Sequence, residues 1–443
     1  MSDFNSAISG DGSASILPGS YQLQECSIHT NSGFKIRIDP MITGIQIEES
    51  LYKSSIHVSI RMEDTVNFLE RMKITGNERV RLRIKHTELK KNSKPKKKFI
   101  FEVFIAEINN LSRQKAGLQE YQIECFSEHM YINSIKKLSR PFKGSIGTIV
   151  DDICRKDLKL KEKPIGTHRL NKINTETKEI VQGIFPNIRP LNAISWLLRN
   201  SYDNETQYYF YETAQDGINF NSYENLISEP VYKEYNQKVG FTAAEGTEDH
   251  YEEVATRVLQ LRSPLQLSKL VSVAAGAYAS TLHTLDISNK KYIKHTYDYE
   301  KNKQKKLNKH LPHSKKVEID GKKYNETIDS YHHYVSLNEN AYSQGNYHAP
   351  TVPTLLSSEA QKENLETMTQ ELTVYGDYEI GVGKIINLVI PKSLGTDGKG
   401  LKDKLIGGKY IVTHISHQFG LDYKMVLTIQ KDSSEVNLDG VLF

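Results

Sequence analysis

The sequence predicts a mainly β chain with α/β inserts, organised around two copies of one β-barrel. Three observations carry that prediction. Short runs near the N-terminus alternate apolar and polar residues, the period of a half-buried strand. Runs in the same order return near the C-terminus. Helical periodicity is concentrated between the two.

Residues 1–17, "MSDFNSAISGDGSASIL", have neither the basic nor the apolar segment of a signal peptide and read as a flexible leader. From 18 to 130 the pattern is β, a first barrel. Ile56, Val58, Ile60 and Met62 alternate with polar residues. So do Val80, Leu82 and Ile84, whose other face carries Arg79, Arg81, Arg83 and Lys85. Phe99, Phe101, Val103 and Ile105 continue the period, and "EYQIECF" (120–126) adds a strand. "TVNFLERMK" (65–73) is a short helix with Val66, Leu69 and Met72 on one side.

Residues 131–230 read as a connecting α/β unit. In "GSIGTIVDDICRKDL", Ser145 is a candidate N-cap, and Ile146, Ile149, Val150 and Ile153 form a helical stripe. "RPLNAISWLLRNSY" places Pro190 in a first turn and stripes Leu191, Ile194, Leu197 and Leu198. "QYYFYETAQDGINFNSY" is a hairpin turning through Gln215-Asp216-Gly217.

The second barrel begins in 231–292, with strands at "RVLQLRS" and "ASTLHTLDIS". Residues 293–349 are a Lys-, His- and Tyr-rich basic insert with a hairpin at "VEIDGKKY". Residues 350–443 supply a helix and the rest of the barrel. Ser358 and Gln361 have capping-box spacing, and Ala360, Leu365, Met368 and Leu372 form an apolar stripe. "ELTVYGDYEIGVGKIINLVIP" and "GGKYIVTHISHQF" close the barrel.

The duplication is legible directly. "MKITGNERVRLRI", a Lys-rich loop and "FEVFIAEINNLSRQKAGLQEYQIECFSE" match "LTVYGDYEIGVGKIINLVI", a second Lys- and Gly-rich loop and "GKYIVTHISHQFGLDYKMVLTIQKDS". In this register "FIAEINNLS" lies over "IVTHISHQF", so Glu107 and Asn110 stand where His414 and His417 do. Apolar period is repeated and chemistry is not. Three such chains would present six similar barrels, a pseudo-sixfold ring with true threefold symmetry.

Composition narrows the function. The 443 residues carry a formal charge of +4 with 25% charged residues, too balanced for a dedicated nucleic-acid binder. Only 38% are hydrophobic, and 25 Tyr outnumber 14 Phe, a bias suited to wet interfaces. Cys26, Cys125 and Cys154 are scattered, which argues against both a zinc site and a disulfide framework and fits a reducing compartment. No run has the length of a membrane span, so no membrane insertion is expected.

The candidate sites each favour a bland reading. On a strand, His414 falls with Tyr410, Val412 and Ser416, while His417 falls with Ile411, Ile415 and Phe419, so the two cannot grip one metal. The lysines of "KKNSKPKKK" (90–98) lack the aromatic groove that nucleic acid requires. "YHHY" (331–334) reads as an exposed polar segment. "GDYEIGVGK" lacks the GK[ST] ending of a phosphate loop and leads into a strand. Asp151-Asp152 sit on a solvated helix face rather than in a catalytic dyad. No catalytic, cofactor-binding or metal-binding residue is assigned.

The joint order of these motifs resembles the baseplate hub of contractile-tailed bacteriophages, the ring between tail tube and central spike. The resemblance rests on "SLYKSSIHVSIRMED", "INSIKKLSRPFKGSIGTIVDDI", "FPNIRPLNAISWLLRNSYDNETQYYFYETAQDGINFNSYENLISEP" and "KYIVTHISHQF", within residues 40–435. It implies two tail-tube-like barrels per chain, with the α/β segments outside or below them. It implies a homotrimer that contacts a tail tube ring, a spike and other baseplate proteins, without cofactor or catalysis. The expected location is the virion tail baseplate, after synthesis in the host cytoplasm. Two other readings remain. One is the spike base of a related contractile injection or secretion system, expected to run on into a β-helical repeat. The other is a tail-associated cell-wall hydrolase, which would need a clustered acid set that the sequence does not offer.

Overall fold

A computed structural model describes residues 18–86, 98–115, 117–162, 167–177, 180–199, 201–203, 206–237, 248–263, 274–277, 279–287, 289–299, 301, 305–310, 318–319, 322–323, 331–337, 351–391 and 402–436. The chain is mainly β. Its large sheet has thirteen strands, numbered here in chain order. The first copy supplies β1 (Tyr21–His29), β2 (Lys35–Arg37), β3 (Ile42–Ser50), β4 (His57–Asp64), β5 (Arg79–His86), β6 (Phe99–Lys115) and β7 (Leu118–Ser127). The second supplies β8 (Lys233–Asn236), β9 (Val258–Arg262), β10 (Thr369–Tyr375), β11 (Ile385–Val389), β12 (Gly408–Phe419) and β13 (Tyr423–Gln430).

The pairing order is β3-β4-β7-β6-β5-β1-β2 in the first copy and β9-β10-β13-β12-β11-β8 in the second. The two orders superpose strand for strand from β3 to β1, and β2 has no counterpart among the described residues of the second copy. The copies differ at one end, where β1 runs antiparallel to β5 but β8 runs parallel to β11.

The repeat extends to irregularities. β6 bulges between Ile105 and Glu107 opposite β7, and β12 bulges between Val412 and His414 opposite β13. β3 bulges between Ile42 and Gly44 opposite β4, and β9 bulges between Val258 and Gln260 opposite β10. The Ile105 amide donates to the Glu78 carbonyl, as that of Val412 donates to Lys384. A bulge costs a ladder position and re-aims a strand. Two coincident bulges therefore mark structural copies, and the pair at Ala106 and Thr413 falls in the register that the sequence predicts.

The bulge at Thr413 also corrects a face assignment. Val412 and Ile415 both lie in the core, opposite Ile429 and Leu427. Simple alternation, which groups His414 with Val412, fails across the extra residue. Beyond the bulge alternation resumes, and His417 is buried with Ile415 and Phe419.

Residues 51–56 join β3 to β4, whereas residues 263–368 separate β9 from β10. Within that insertion, Ala279–Asp286 pairs with Lys291–Asp298 and Tyr331–Leu337 in a separate three-stranded sheet. "ASTLHTLDIS" is therefore not a strand of the large sheet, and "YHHY" lies on a strand rather than in an irregular segment. Ser358 lies inside the helix Thr351–Thr367 and donates to the Leu355 carbonyl, so it does not cap. Leu372 belongs to β10. The helix Phe68–Met72 is a single turn between left-handed Asn67 and Lys73. It buries Phe68 and leaves Val66 and Met72 exposed, because one turn cannot align the expected stripe.

The connecting unit follows its sequence closely. The Ser145 side chain accepts from the Thr148 amide, and Ile146, Ile149, Val150 and Ile153 are buried. The hairpin Thr206–Thr213/Gly217–Ser222 is a wall between two cores. Tyr208 and Phe210 face the connecting unit's core, while Tyr209 and Tyr211 join the continuous core beneath both copies. Each such fully buried ring contributes about 1.5–3 kcal/mol by removing apolar surface from water. The wall thus anchors the α/β unit on the large sheet.

Candidate assembly surface

β12 joins the copies. Its first residues pair with β11 of its own copy, Gly408 to Ile411 against Leu388 to Ile385. Beyond Thr413 it pairs instead with β3 of the first copy, from His414 opposite Ser50 to Phe419 opposite Ile45. At the bulge the Thr413 carbonyl accepts from the Leu51 amide at 2.8 Å. The extra residue turns β12 away from β11 and onto its neighbour.

A buried polar node locks this seam. Glu49 and His417 side chains are both 0% exposed. Glu49 Oε1 accepts from the Ala214 amide at 2.7 Å, and Oε2 accepts from the Val382 amide at 3.3 Å. His417 Nε2 lies 3.3 Å from Glu49 Oε1, and its Nδ1 lies 2.8 Å from the Tyr423 hydroxyl. A carboxylate that already accepts from two amides calls for a donor at Nε2, which fixes the imidazole proton there. One carboxylate thereby ties together the first copy, the second copy and the connecting unit. Glu212 does the same for the first copy alone. It accepts from the Ile56 and His168 amides at 3.0 Å and from the Ser127 hydroxyl at 2.6 Å.

Aromatic rings fill the space beside the node. Phe99 of β6 lies 4.8 Å from Tyr378, 5.4 Å from His417 and 6.3 Å from Phe419. Phe419 stacks on Tyr423 at 4.3 Å. A side chain at Gly376 would sit 1.9 Å from the Tyr423 ring, so glycine is required for that close approach. The Tyr21 hydroxyl donates to the Gly420 carbonyl, and burial with nearby Asp422 pushes its pKa up to about 12.

The sequence-selected residues are dispersed. His414 is half-buried at the seam, and burial lowers its pKa. Asp151 pairs with Arg155, and Asp152 pairs with Arg140 and Lys156. His283 Nε2 lies 2.9 Å from His332 Nδ1 in the three-stranded sheet. Among the described residues, no group of three or more His, Cys, Asp or Glu is placed to hold a metal. Among them too, no helix is long and apolar enough to cross a membrane. The leader and most of the two Lys-rich loops, 90–98 and 392–406, lie outside the described residues. A surface cavity of about 460 Å³ is lined by Pro186, Ile188, Asn192, Ser195, Trp196 and Arg199, with no acid–base pair.

Sequence reasoning missed Glu49 and Glu212. A signal for Glu49 was present: it follows Ile45 and Ile47 at period two, a carboxylate on the inward face of a strand. Its partners lie 165 or more residues away and leave no local trace.

No family model matches this chain, and no curated protein sequence does. Solved structures do match. The tail protein from Neisseria meningitidis MC58 aligns with TM-score 0.50 and 8% identity, covering 93% of this chain and 97% of that one. The 43 kDa tail protein of prophage MuSo2 from Shewanella oneidensis aligns with TM-score 0.50 and 9% identity, covering 93% and 99%. With its duplicated sheet, its seam and its connecting unit, this chain has the fold of these tail proteins.

Proposed function

We propose that the chain is a structural component of a contractile tail, a homotrimeric baseplate hub that adapts a sixfold tube to a threefold spike. The duplication carries this reading. An evenly spaced sixfold partner needs six near-equivalent docking edges, and two per chain require three chains. The two tube-like domains, built on β1–β7 and on β8–β13, then form the ring, and 131–230 packs beside it. The role is mechanical: the ring supplies a channel and a seal, and it releases the spike when the sheath contracts. No catalytic step is assigned, and the site of action is the virion tail. The fold shared with two tail proteins supports the reading.

Sedimentation of the purified chain at low and high salt, with electron micrographs of the same sample, tests it. The expected result is a closed trimeric ring that persists in high salt, with docking to tube or spike weakened, because exposed charge pairs are screened and apolar contacts are not. A monomer at micromolar concentration, with no ring in the micrographs, would sink the proposal.

A further inference from the structure

The seam inside the chain uses the outer edge of β3 from the first copy and β12, beyond its bulge, from the second. Each copy also contains the other half of that arrangement. The first copy's counterpart of β12 is β6, and the second copy's counterpart of β3 is β9. Among the described residues, neither has a ladder partner on that outer side. They cannot meet within one chain, because six strands of the sheet separate them.

Burial records the difference between a covered and an uncovered copy. Thr413, Ser416, His417 and Phe419 are buried on β12. On β6, Ala106, Glu107 and the run from Asn110 to Arg113 are exposed, with Leu111 at 53%. On β9, Leu259 is 38% exposed, and Gln260 and Arg262 are exposed. Exposed strand edges that carry leucines invite pairing with another chain.

The ladders fix the register. Gln418 and Phe419 oppose Lys424 and Tyr423 on β13, and Ser112 and Arg113 hold the matching places opposite Glu120 and Gln119 on β7. Ile45 opposes Ile60 as Leu261 opposes Leu372, so Gln46 corresponds to Arg262. In the seam, Gln418 faces Gln46 and Phe419 faces Ile45.

Resting on the trimeric reading above, we propose that β9 of one protomer adds antiparallel to the outer edge of β6 of the next, with Arg262 opposite Ser112 and Leu261 opposite Arg113. The contact is heterologous and reproduces the internal seam, so each chain gives one edge and receives one. It is also the looser of the two. Where β12 has His417 alone, β6 has Asn110, left-handed at φ 54°, together with Leu111. The node that locks the internal seam therefore has no counterpart between chains. The ring is three firmly fused pairs of domains joined by three weaker seams, and it dissociates into folded protomers before it unfolds.

Ser112→Cys with Arg262→Cys in the full chain tests this. The native Cys26, Cys125 and Cys154 are all buried, and both new positions are exposed. Mild oxidation should give reducible covalent species that stop at three chains, while either single variant gives none. Ser112→Cys with Lys35→Cys, which moves one thiol to β2, paired only with β1 among the described residues, should give none as well. On the unmodified protein, amide exchange should slow at 112–113 and 261–262 on assembly. A trimer by sedimentation without the 112–262 link, or without that protection, overturns the seam and leaves the hub reading standing. A monomer overturns both, and linked species running beyond three overturn the closed ring.

Discussion

Replacing Glu49 with Ala removes the acceptor on which three parts of the chain converge. The Ala214 and Val382 amides and His417 Nε2 lose their partner in a site with no exposed surface. A buried donor left unpaired costs about 1–3 kcal/mol. His417 keeps its contact with the Tyr423 hydroxyl, so its ring is not stripped of partners. With three donors affected, the expected loss is about 3–5 kcal/mol, toward the low end of their sum. Urea unfolding followed by near-ultraviolet circular dichroism reads it. Glu49→Gln retains one carbonyl oxygen for an amide and should lose roughly half as much. His417→Ala and the double variant complete a cycle whose coupling should lie near 1 kcal/mol or above, as for residues in one network. A shift within about 0.5 kcal/mol for Glu49→Ala, the scale of a surface substitution, would refute the seam node.

Ile415→Ala should cost about 2–5 kcal/mol, as for a fully packed core site, while Ile108→Ala at the half-buried matching position should cost clearly less; equal urea midpoint shifts would contradict the difference in cover. Lys431 is buried, its Nζ donates to the Leu405 and Gly407 carbonyls, and desolvation lowers its pKa to about 8. The unfolded chain then binds more protons above pH 8, so stability should rise from about pH 8 toward 10, and Lys431→Met should flatten that rise in pH-resolved melting. The Glu48 and Glu124 carboxylates raise the His57 pKa. Its stabilisation should be complete below the unfolded value near 6.5 and fade as pH rises through the higher folded value; nuclear magnetic resonance of the ring should place that midpoint above 6.5, and His57→Gln should remove the slope. His414→Ala should be close to neutral in melting experiments while His417→Ala is not, since only His417 is enclosed.

Local chemistry was readable wherever a strand or helix buries one face. The alternation through β4, β5 and β6, the Ser145 cap and the turn after Thr213 follow from residue type and spacing, because each rests on neighbours a few positions apart. The duplication was readable too, since two copies under the same packing constraint keep the same apolar period. Even the alignment of Ile105 with Val412 survives in paired bulges.

The bulge itself was not readable. One unpaired residue in a ladder has no compositional mark, and at Thr413 it moves Val412 to the core face. Nor could the sequence place Ala279–Asp286, whose apolar period suits any sheet; its partners at 291–298 and 331–337 were chosen by packing across an insertion. The assembly surface lies furthest from sequence. Glu49 becomes a lock only because β12 leaves β11 at Thr413 and lies along β3, which brings residues from three distant segments onto one carboxylate. Sequence period determines which face of a strand is apolar. Which strand lies next to it, and hence which edge stays open, is decided by tertiary closure, because backbone edges are chemically alike along every strand.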